Sequence, residues 1–493
     1  MDIHSPVATR AIGAQGMLRH LQDLPCPAGL PWLGNLLQLR PSRLHLQLER
    51  WHEELGGSFC FRMGRRPVVV MADAQALQTA LRSRPQDFRR GHVIESVFDE
   101  IGANGLFSVE GEAWRPQRQL IMQALSPAQM RGFHPLLVDI TRGLLRRWQR
   151  AAARGAVLEM TQELTRFTVD VTTTLAFGEN PDTIASEGDV IQQQLALVFP
   201  MIQRRVNAPF PWWRLFKLPG DRRFDAALAR VHDHIDGLIA RARERLRNSR
   251  GQPRNLLENL LLQAAAPGSS IRDADVRANV LTVLLAGEDT TANMLAWTLH
   301  QLASQPRWQD RLHAQAVRVL GPSDVCEGLA DLERLDLFEA CATEASRLRP
   351  TVPIFYLETL REVTLAGVSL PARTQLLMLT RPAMLEKRNF ADPYRFRPQR
   401  WLRPPACPVG GHRELAALLP HEPRAHVQFG AGPRVCPGRH LAGQEIRLVL
   451  SMLMRHFRIE HAGPPDAVAE RNVFTMMPSR LPMRLVPRGL EAS

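Results

Sequence analysis

The sequence predicts a mainly α-helical protein with a minor β portion. Apolar residues recur three and four positions apart, with charged residues on the opposite face, in four long segments: 130–153, 158–177, 224–248 and 271–303. Runs with strand character are short and few by comparison. Hydrophobic residues make up 45% and charged residues 23% of the 493 residues, which is ordinary for a globular protein with a large core.

The β portion is predicted from short β-prone runs separated by turn residues. Residues 58–63 and 67–71 flank Gly64 and predict a hairpin. Further strands are predicted at 362–365, 368–370, 375–379 and 483–486. Because these runs are dispersed among long helical patterns, we expect small sheets beside a helical body.

The chain is expected to form one large domain. Its length alone would suggest about three domains, but no change in composition and no low-complexity linker divides it. Residues 1–24 are predicted to form a flexible N-terminal arm, and prolines in 25–31 stiffen the segment that follows. The domain is therefore predicted to span residues 25–493.

Charge and cysteine content exclude several classes of protein. The net charge is +13, but the arginines are dispersed and no zinc-finger or RNA-binding signature occurs, so no nucleic-acid partner is expected. The six cysteines have no C-x-x-C spacing, which argues against a zinc site or a disulfide framework. No apolar run reaches the length of a membrane span, so we expect no transmembrane anchor and a cytoplasmic location.

The most informative segment is F-G-A-G-P-R-V-C-P-G, from Phe429 to Gly438. Its glycines allow the backbone to approach a flat ligand closely, and an apolar helical pattern follows it. The N-terminus of that helix offers free N–H groups and a positive dipole to the sulfur of Cys436. We therefore predict that Cys436 is deprotonated and binds the metal of a large planar cofactor.

This segment resembles the haem-binding signature F-x-x-G-x-R-x-C-x-G of cytochrome P450 enzymes. The resemblance implies the cytochrome P450 fold and heme b with Cys436 as its axial thiolate ligand, a ligand that favours O–O cleavage. It also implies that Phe429, Arg434 and Gly438 contact the cofactor. Two residues depart from the usual pattern: Gln428 replaces a proline, and Pro437 replaces an aliphatic residue.

The helical pattern of 271–303 is the longest in the chain. Ser270 and Asp273 resemble a capping box at its start. In its middle, a glycine and a polar cluster at 286–291 interrupt residues that are otherwise suited to burial. Such departures from the local pattern are expected at functional sites.

The polar cluster resembles the A-G-x-D/E-T-T element of cytochromes P450. The resemblance implies that Asp289 and Thr290 are the catalytic acid and alcohol that deliver protons to oxygen. It also places Ala286 and Gly287 against the haem face. Glu288 occupies the variable position, and the sequence leaves open which carboxylate turns inward, although Asp289 matches the element better.

Two further motifs resemble the structural network of the same family. Glu344 and Arg347 are three residues apart, so on a helix they share one face. They match the E-x-x-R element, and Arg400 lies in F-R-P-Q-R-W, which resembles the later F-x-P-x-R-[FW] element. The resemblance implies a buried network of these three side chains that fixes the cysteine loop.

A third motif places residues at the acidic side chains of the haem. Trp114 and Arg118 are four residues apart on one helical face and resemble the W-x-x-x-R element. The resemblance implies that both donate hydrogen bonds to one propionate. Arg434 is expected to serve the other, since guanidinium and carboxylate form charge-assisted bonds.

The predicted activity is monooxygenation of a lipophilic small molecule, by hydroxylation or epoxidation of a fatty acid, terpenoid or polyketide. No dinucleotide-binding motif occurs, so electrons are expected from a separate donor such as ferredoxin with ferredoxin reductase. One alternative is a peroxide-driven enzyme of the same fold, which the acid and alcohol pair disfavours. The other is a haem sensor or carrier without catalysis, which would not need that pair.

Segments placed by the resemblance predict an apolar substrate pocket. Its candidate residues are Phe107, Phe199, Val352, Phe355 and Met476. Four arginines near these segments could anchor a substrate carboxylate: Arg89, Arg90, Arg204 and Arg205.

Overall fold

The computed structural model describes residues 18–186, 190–248, 253–402 and 421–489. Helices dominate, as predicted. They are α1 (Leu44–Leu55), α2 (Ala74–Arg82), α3 (His92–Glu100), α4 (Trp114–Ala124), α5 (Pro127–Ala153), α6 (Met160–Phe177), α7 (Val190–Val206), α8 (Pro219–Asn248), α9 (Leu256–Ala264), α10 (Asp273–Ala303), α11 (Pro306–Leu320), α12 (Leu329–Glu333), α13 (Asp336–Leu348), α14 (Arg381–Leu385) and α15 (Arg439–His456).

The strands form small sheets at the edge of the helical body. They are β1 (Ser58–Met63), β2 (Arg66–Met71), β3 (Phe88–Arg90), β4 (Val157–Glu159), β5 (Ile354–Thr359), β6 (Val363–Leu365), β7 (Val368–Leu370), β8 (Gln375–Leu379), β9 (Phe457–His461), β10 (Glu470–Val473), β11 (Thr475–Pro478) and β12 (Pro482–Pro487). The largest sheet has the order β1-β2-β8-β5-β3, in which only β2 and β8 are parallel. The others are β4-β12-β9 and the hairpins β6-β7 and β10-β11.

The predicted fold class is confirmed, and the four predicted helices correspond to α5, α6, α8 and α10. The predicted hairpin is formed by β1 and β2, with Met63 opposite Arg66. The helix predicted from residue 158 begins later, at Met160, because residues 157–159 pair with β12 instead.

The predicted capping box of α10 is wrong. The helix begins at Asp273, so its third residue is Asp275. Asp275 Oδ2 accepts the backbone N–H of Arg272 at 2.9 Å, and Ser270 lies outside the helix. The capping carboxylate is therefore two residues later than the sequence pattern suggested.

Helix α10, 31 residues long, connects two apolar cores. Val276–Leu285 packs with α3, α4, α8 and α9, whereas Ala292–Leu302 packs with α5, α6, α13 and α15. The polar residues 286–291 lie at the junction of the two cores. The interruption in the sequence thus marks the place where the helix passes from one core to the other.

Part of the predicted N-terminal arm can be described. Residues 1–17 lie outside the described residues, but the backbone N–H of Arg19 bonds to Gly367 O at 3.0 Å, and Ser369 N–H bonds to Arg19 O at 2.8 Å. Leu24 is buried. Residues 18–24 are therefore attached to the β6-β7 hairpin and the adjacent core, rather than free.

Among the described ranges, no helix combines the length and the apolar character that a membrane crossing requires.

Candidate active site

The cysteine loop is folded back on itself ahead of α15. The backbone N–H of Cys436 donates to Phe429 O at 2.8 Å. Gly430 and Gly432 have φ of 73° and 66°, values that other residues rarely adopt. A Cβ on Gly432 would lie 2.7 Å from the Cα of Arg82. The turn thus favours glycine at both positions, and the close approach of the loop to α2 requires it at Gly432.

Gly438 directly precedes α15, so Cys436 lies near the N-terminus of that helix. Burial nevertheless raises the pKa of the Cys436 thiol above its ordinary value, because the thiolate loses solvation. The backbone N–H groups of Gly438 and Arg439, together with the charges of Arg118 and Arg439, only partly oppose this. The helix terminus and these two arginines favour the thiolate, and a coordinated metal cation would complete the loss of the proton.

The Glu344 carboxylate lies between two arginines in the core. Its oxygens accept bonds from Arg347 Nε and Nη2, both at 2.9 Å, and from Arg400 Nε at 3.2 Å. The side chains of all three residues are fully buried. The two guanidinium charges hold the pKa of Glu344 below its ordinary value despite burial, so the carboxylate stays ionised.

This cluster also organises the chain that leads to the cysteine loop. Arg347 Nη1 donates to the carbonyls of Met384 and Pro393, at 2.8 and 2.6 Å. On the same helix, the Ser346 hydroxyl bonds to His426 Nε2 at 2.8 Å. Because His426 lies ten residues before Cys436, α13 is connected to the entrance of the loop.

Gln428, which departs from the usual pattern, has its own contact. Its Nε2 donates to the hydroxyl of Thr351 at 2.5 Å. The side chain thus attaches the start of the cysteine loop to the segment after α13. A proline would fix the backbone at this position but could not make that bond.

Near Cys436, an acidic residue that the sequence did not indicate organises the basic side chains. Arg434 was predicted to serve a haem propionate, yet its Nη2 bonds to Glu110 Oε2 at 2.8 Å and its Nη1 to Val109 O at 2.9 Å. Arg84 Nη2 bonds to the other oxygen, Glu110 Oε1, at 2.7 Å. The guanidinium of Arg434 also lies 4.4 Å above the ring of Trp114.

Several donors in this cluster are buried without a partner. Trp114 Nε1 and the Nε atoms of Arg84 and Arg434 find no hydrogen-bond acceptor among the described residues. Buried polar groups are normally satisfied. Converging cationic and N–H donors beside Arg118 and Cys436 suit a ligand with acidic groups.

On α10, Asp289 and Thr290 share a face with Ala286. Ala286 is exposed and the other two are half-buried, although Leu285 and Thr291 are buried. The hydroxyl of Thr290 donates to Ala286 O at 2.8 Å. Burial raises the pKa of Asp289 to about 7, so its carboxyl can hold a proton near neutral pH.

Glu288 and Gly287 face the neighbouring helix α6 instead. Glu288 is buried, and its carbonyl accepts the hydroxyl of Thr168 at 2.7 Å. A Cβ on Gly287 would lie 2.7 Å from the hydroxyl oxygen of Thr172. The glycine is therefore required for close packing of α6, and Asp289 is the carboxylate on the Ala286 side.

The comparison with known proteins agrees with this geometry. The cytochrome P450 family model matches residues 24–484. Cyclooctat-9-en-7-ol 5-monooxygenase of Streptomyces melanosporofaciens is 30% identical over 88% of this chain and 88% of its own length. The chain belongs to the cytochrome P450 family.

Two animal members show similar coverage. Cytochrome P450 2S1 of Homo sapiens is 28% identical over 90% of this chain and 87% of its own length. The mitochondrial 25-hydroxyvitamin D-1 alpha hydroxylase of Mus musculus is 28% identical over 93% of this chain and 91% of its own length.

The chain is therefore a P450 monooxygenase that binds haem, with Cys436 as the axial thiolate, as predicted. Its residues fit the cofactor. The unpartnered donors of Trp114, Arg84 and Arg434 suit the propionates. Gly430 and Gly432 have no side chains, which allows the loop backbone to approach a flat cofactor closely.

An aromatic cluster contains two of the predicted pocket residues. The ring of Phe474 lies between those of Phe98, Phe107 and Phe199, with centroids 6.0, 5.9 and 5.7 Å away. Phe474 forms the turn of the β10-β11 hairpin and has φ of 71°, a strained value for a bulky residue. Phe107 and Phe199 were predicted pocket residues, whereas Phe474 was not.

The other predicted pocket residues are distributed differently. Val352 and Phe355 are half-buried, and Phe355 packs against a core cluster that includes residues of β1, β2 and α2. Met476 is fully buried, with its N–H bonded to Thr351 O at 2.8 Å. The hairpin therefore presents Phe474, rather than Met476, to Phe107.

The arginines proposed as carboxylate anchors are already engaged. Arg205 is buried among Glu100, Asp221 and Asp225, and Arg89 pairs with Glu95. Arg204 is exposed beside the ring of Trp212, and Arg90 donates to Phe107 O at 2.9 Å. Of the four, Arg90 is the one at the phenylalanine cluster, with its guanidinium 3.8 Å from the centre of the Phe107 ring.

Proposed function

We propose that this P450 hydroxylates or epoxidises a neutral lipophilic substrate, with a terpenoid ahead of a polyketide or a fatty acid. One oxygen atom of dioxygen enters the substrate and the other leaves as water, so each turnover consumes two electrons and two protons. The phenylalanine cluster around Phe474 is the observation that supports an apolar substrate. The engaged state of Arg89 and Arg205 argues against recognition of a carboxylate.

The relatives favour the same class. Two of them are named for alcohols: cyclooctat-9-en-7-ol and 25-hydroxyvitamin D. A mostly apolar pocket with few polar groups is the usual way to bind such molecules.

In the proposed mechanism, haem bound through Cys436 supplies the binding and activation of dioxygen. The chain supplies protons from the distal side. Asp289 holds a proton near neutral pH because burial raises its pKa to about 7. The hydroxyl of Thr290 donates its hydrogen bond to Ala286 O, so the hydroxyl oxygen can accept a hydrogen bond from an incoming water.

The electron donor is proposed to be an acidic protein, a ferredoxin with its reductase. Arg82, Arg115, Arg424 and Arg439 are exposed on segments that adjoin the cysteine loop. A basic face of this kind steers an acidic partner during encounter.

The proposal is tested by titrating the ferric protein with terpenes, steroids, macrolides and fatty acids, while the Soret band reports loss of the iron-bound water. We expect a saturable shift with neutral polycyclic compounds and a weak one with fatty acids. Strong shifts with fatty acids alone would contradict the proposed substrate class. Efficient turnover with hydrogen peroxide and no electron donor would favour the peroxide-driven alternative.

Phe474→Gly is expected to change which substrates bind. Glycine accepts the positive φ and removes the ring that joins Phe98, Phe107 and Phe199. Compact substrates should lose about tenfold in spectral affinity, whereas bulkier ones should gain. Phe216→Ala, which removes a phenyl that is 55% exposed, is the control and should leave the ranking of substrates unchanged. An unchanged ranking in Phe474→Gly would remove the cluster from the pocket.

A further inference from the structure

Glu110 lies at the centre of the basic cluster beside the cysteine loop. It follows the segment that contains Phe107 and precedes α4. Its side chain is 6% exposed and bonds to Arg84 through Oε1 and to Arg434 through Oε2. Oε1 also accepts the backbone N–H of Arg90 at 3.0 Å. One carboxylate thus connects its own segment to residues 84–90 and to the cysteine loop.

The charges around this carboxylate do not balance. Burial together with the charges of neighbouring arginines lowers the pKa of Arg90 to about 9 and that of Arg434 to about 10, while Glu110 acts in the opposite direction. Arg84 and Arg434 bond to the carboxylate, and the Arg90 guanidinium lies within reach of its charge. Glu95 also acts on Arg434 but is paired with Arg89, so these three guanidinium groups exceed the charge of Glu110 by two. The two propionates of haem carry a matching negative charge.

Glu110 also fixes where the remaining donors lie. With the Nη2 atoms of Arg84 and Arg434 bonded to Glu110, the Nε atoms of both remain unpartnered. Arg434 stacks on Trp114, whose Nε1 is likewise unpartnered. The two bonds to Glu110 therefore fix the orientation of the Arg84 and Arg434 guanidinium groups, and with it the direction in which their Nε–H groups point.

We propose that Glu110 is a positioning residue that pre-arranges Arg84 and Arg434 for the haem propionates and, through its own buried charge, lowers the reduction potential of the haem iron. A fixed negative charge stabilises the ferric state relative to the ferrous state. The inference rests on haem binding by Cys436 and is independent of the proposed substrate.

The experiment compares Glu110→Gln, Glu110→Asp and Glu112→Gln. Glu112 is exposed two residues away, so its substitution removes the same charge outside the cluster. The measurements are the rate of haem transfer to excess apomyoglobin and the ferric/ferrous midpoint potential.

In Glu110→Gln, haem loss should be roughly tenfold faster, as for other residues that orient a metal group through its ligands, and the potential should become more positive. Glu110→Asp keeps the charge and should restore the potential, even if haem is held less tightly. Glu112→Gln should match the parent protein. If Glu110→Gln does not fold, Glu110→Asp decides the question. Faster haem loss with a midpoint potential equal to that of the parent protein supports the inference, whereas haem loss at the parent rate in Glu110→Asp overturns it. A folded Glu110→Gln with unchanged haem loss and potential also overturns it.

Discussion

Glu344→Ala is expected to yield protein that does not retain haem. The substitution leaves the guanidinium groups of Arg347 and Arg400 buried without their carboxylate. Breaking a buried ion pair from one side costs about 3–5 kcal/mol. Since Arg347 also holds the carbonyls of Met384 and Pro393, we expect the damage to spread along the chain that leads to the cysteine loop.

The measurement is the ratio of Soret to protein absorbance after purification, together with the carbon monoxide spectrum. Glu339→Ala is the matched control, because Glu339 lies on the same helix and pairs with Arg447 at the surface. It should retain haem, since an exposed pair contributes under about 1 kcal/mol. If Glu344→Ala fails to fold, Glu344→Gln preserves the side-chain volume and can be measured instead. Full haem content in either Glu344 variant would exclude the network from a role in haem retention.

Local patterns predicted much of this molecule because their partners are close in sequence. The period of the apolar residues located α5, α6, α8 and α10, whose apolar faces pack into two cores. Helix starts were less accurate, as α10 shows: its cap depends on whether Asp273 or Asp275 can reach a free N–H group. That choice depends on backbone geometry that periodicity does not contain.

In the candidate active site, too, residues close in sequence were predicted and contacts between distant residues were not. Asp289 and Thr290 are adjacent, and Glu344 and Arg347 are one helical turn apart, so short motifs indicated them. Glu110 acts on Arg434, which is 324 residues away, and no spacing indicates such a contact.

Phe474 could have been suspected as a large apolar residue between two β-prone runs, but its ring contacts depend on tertiary packing. The burial of Glu445 likewise depends on tertiary packing. Glu445 is an acidic residue on α15, and its burial raises its pKa to about 8, although a bond with Thr291 opposes the shift.

Thr290→Ala is expected to separate electron consumption from product formation. The variant retains the haem ligand and the open face of α10, so reductant should still be consumed. Without the hydroxyl oxygen next to Asp289, protons are delivered less efficiently to the bound oxygen. A larger share of the electrons consumed then reduces dioxygen to hydrogen peroxide instead of supporting product formation. General acid catalysis typically contributes about 10²–10⁴-fold, so product per reductant should fall by at least about tenfold. Oxygen uptake, peroxide and product are measured together.

Asp289→Asn tests the other half of the pair. A carboxyl with a pKa of about 7 is protonated below neutral pH and loses its proton above it, so product formation in the parent enzyme should fall as pH rises through 7. The amide cannot donate in this way, and the variant should be slower by about 10²-fold without that pH dependence.

Thr298→Ala is the control for both variants. Thr298 makes the same kind of bond, to Met294 O at 2.7 Å, but it is fully buried two turns further along α10. A loss of coupling there equal to that in Thr290→Ala would mean that helix geometry, not the position of the hydroxyl, decides the outcome. Parent-like coupling in Thr290→Ala would remove the alcohol from proton delivery.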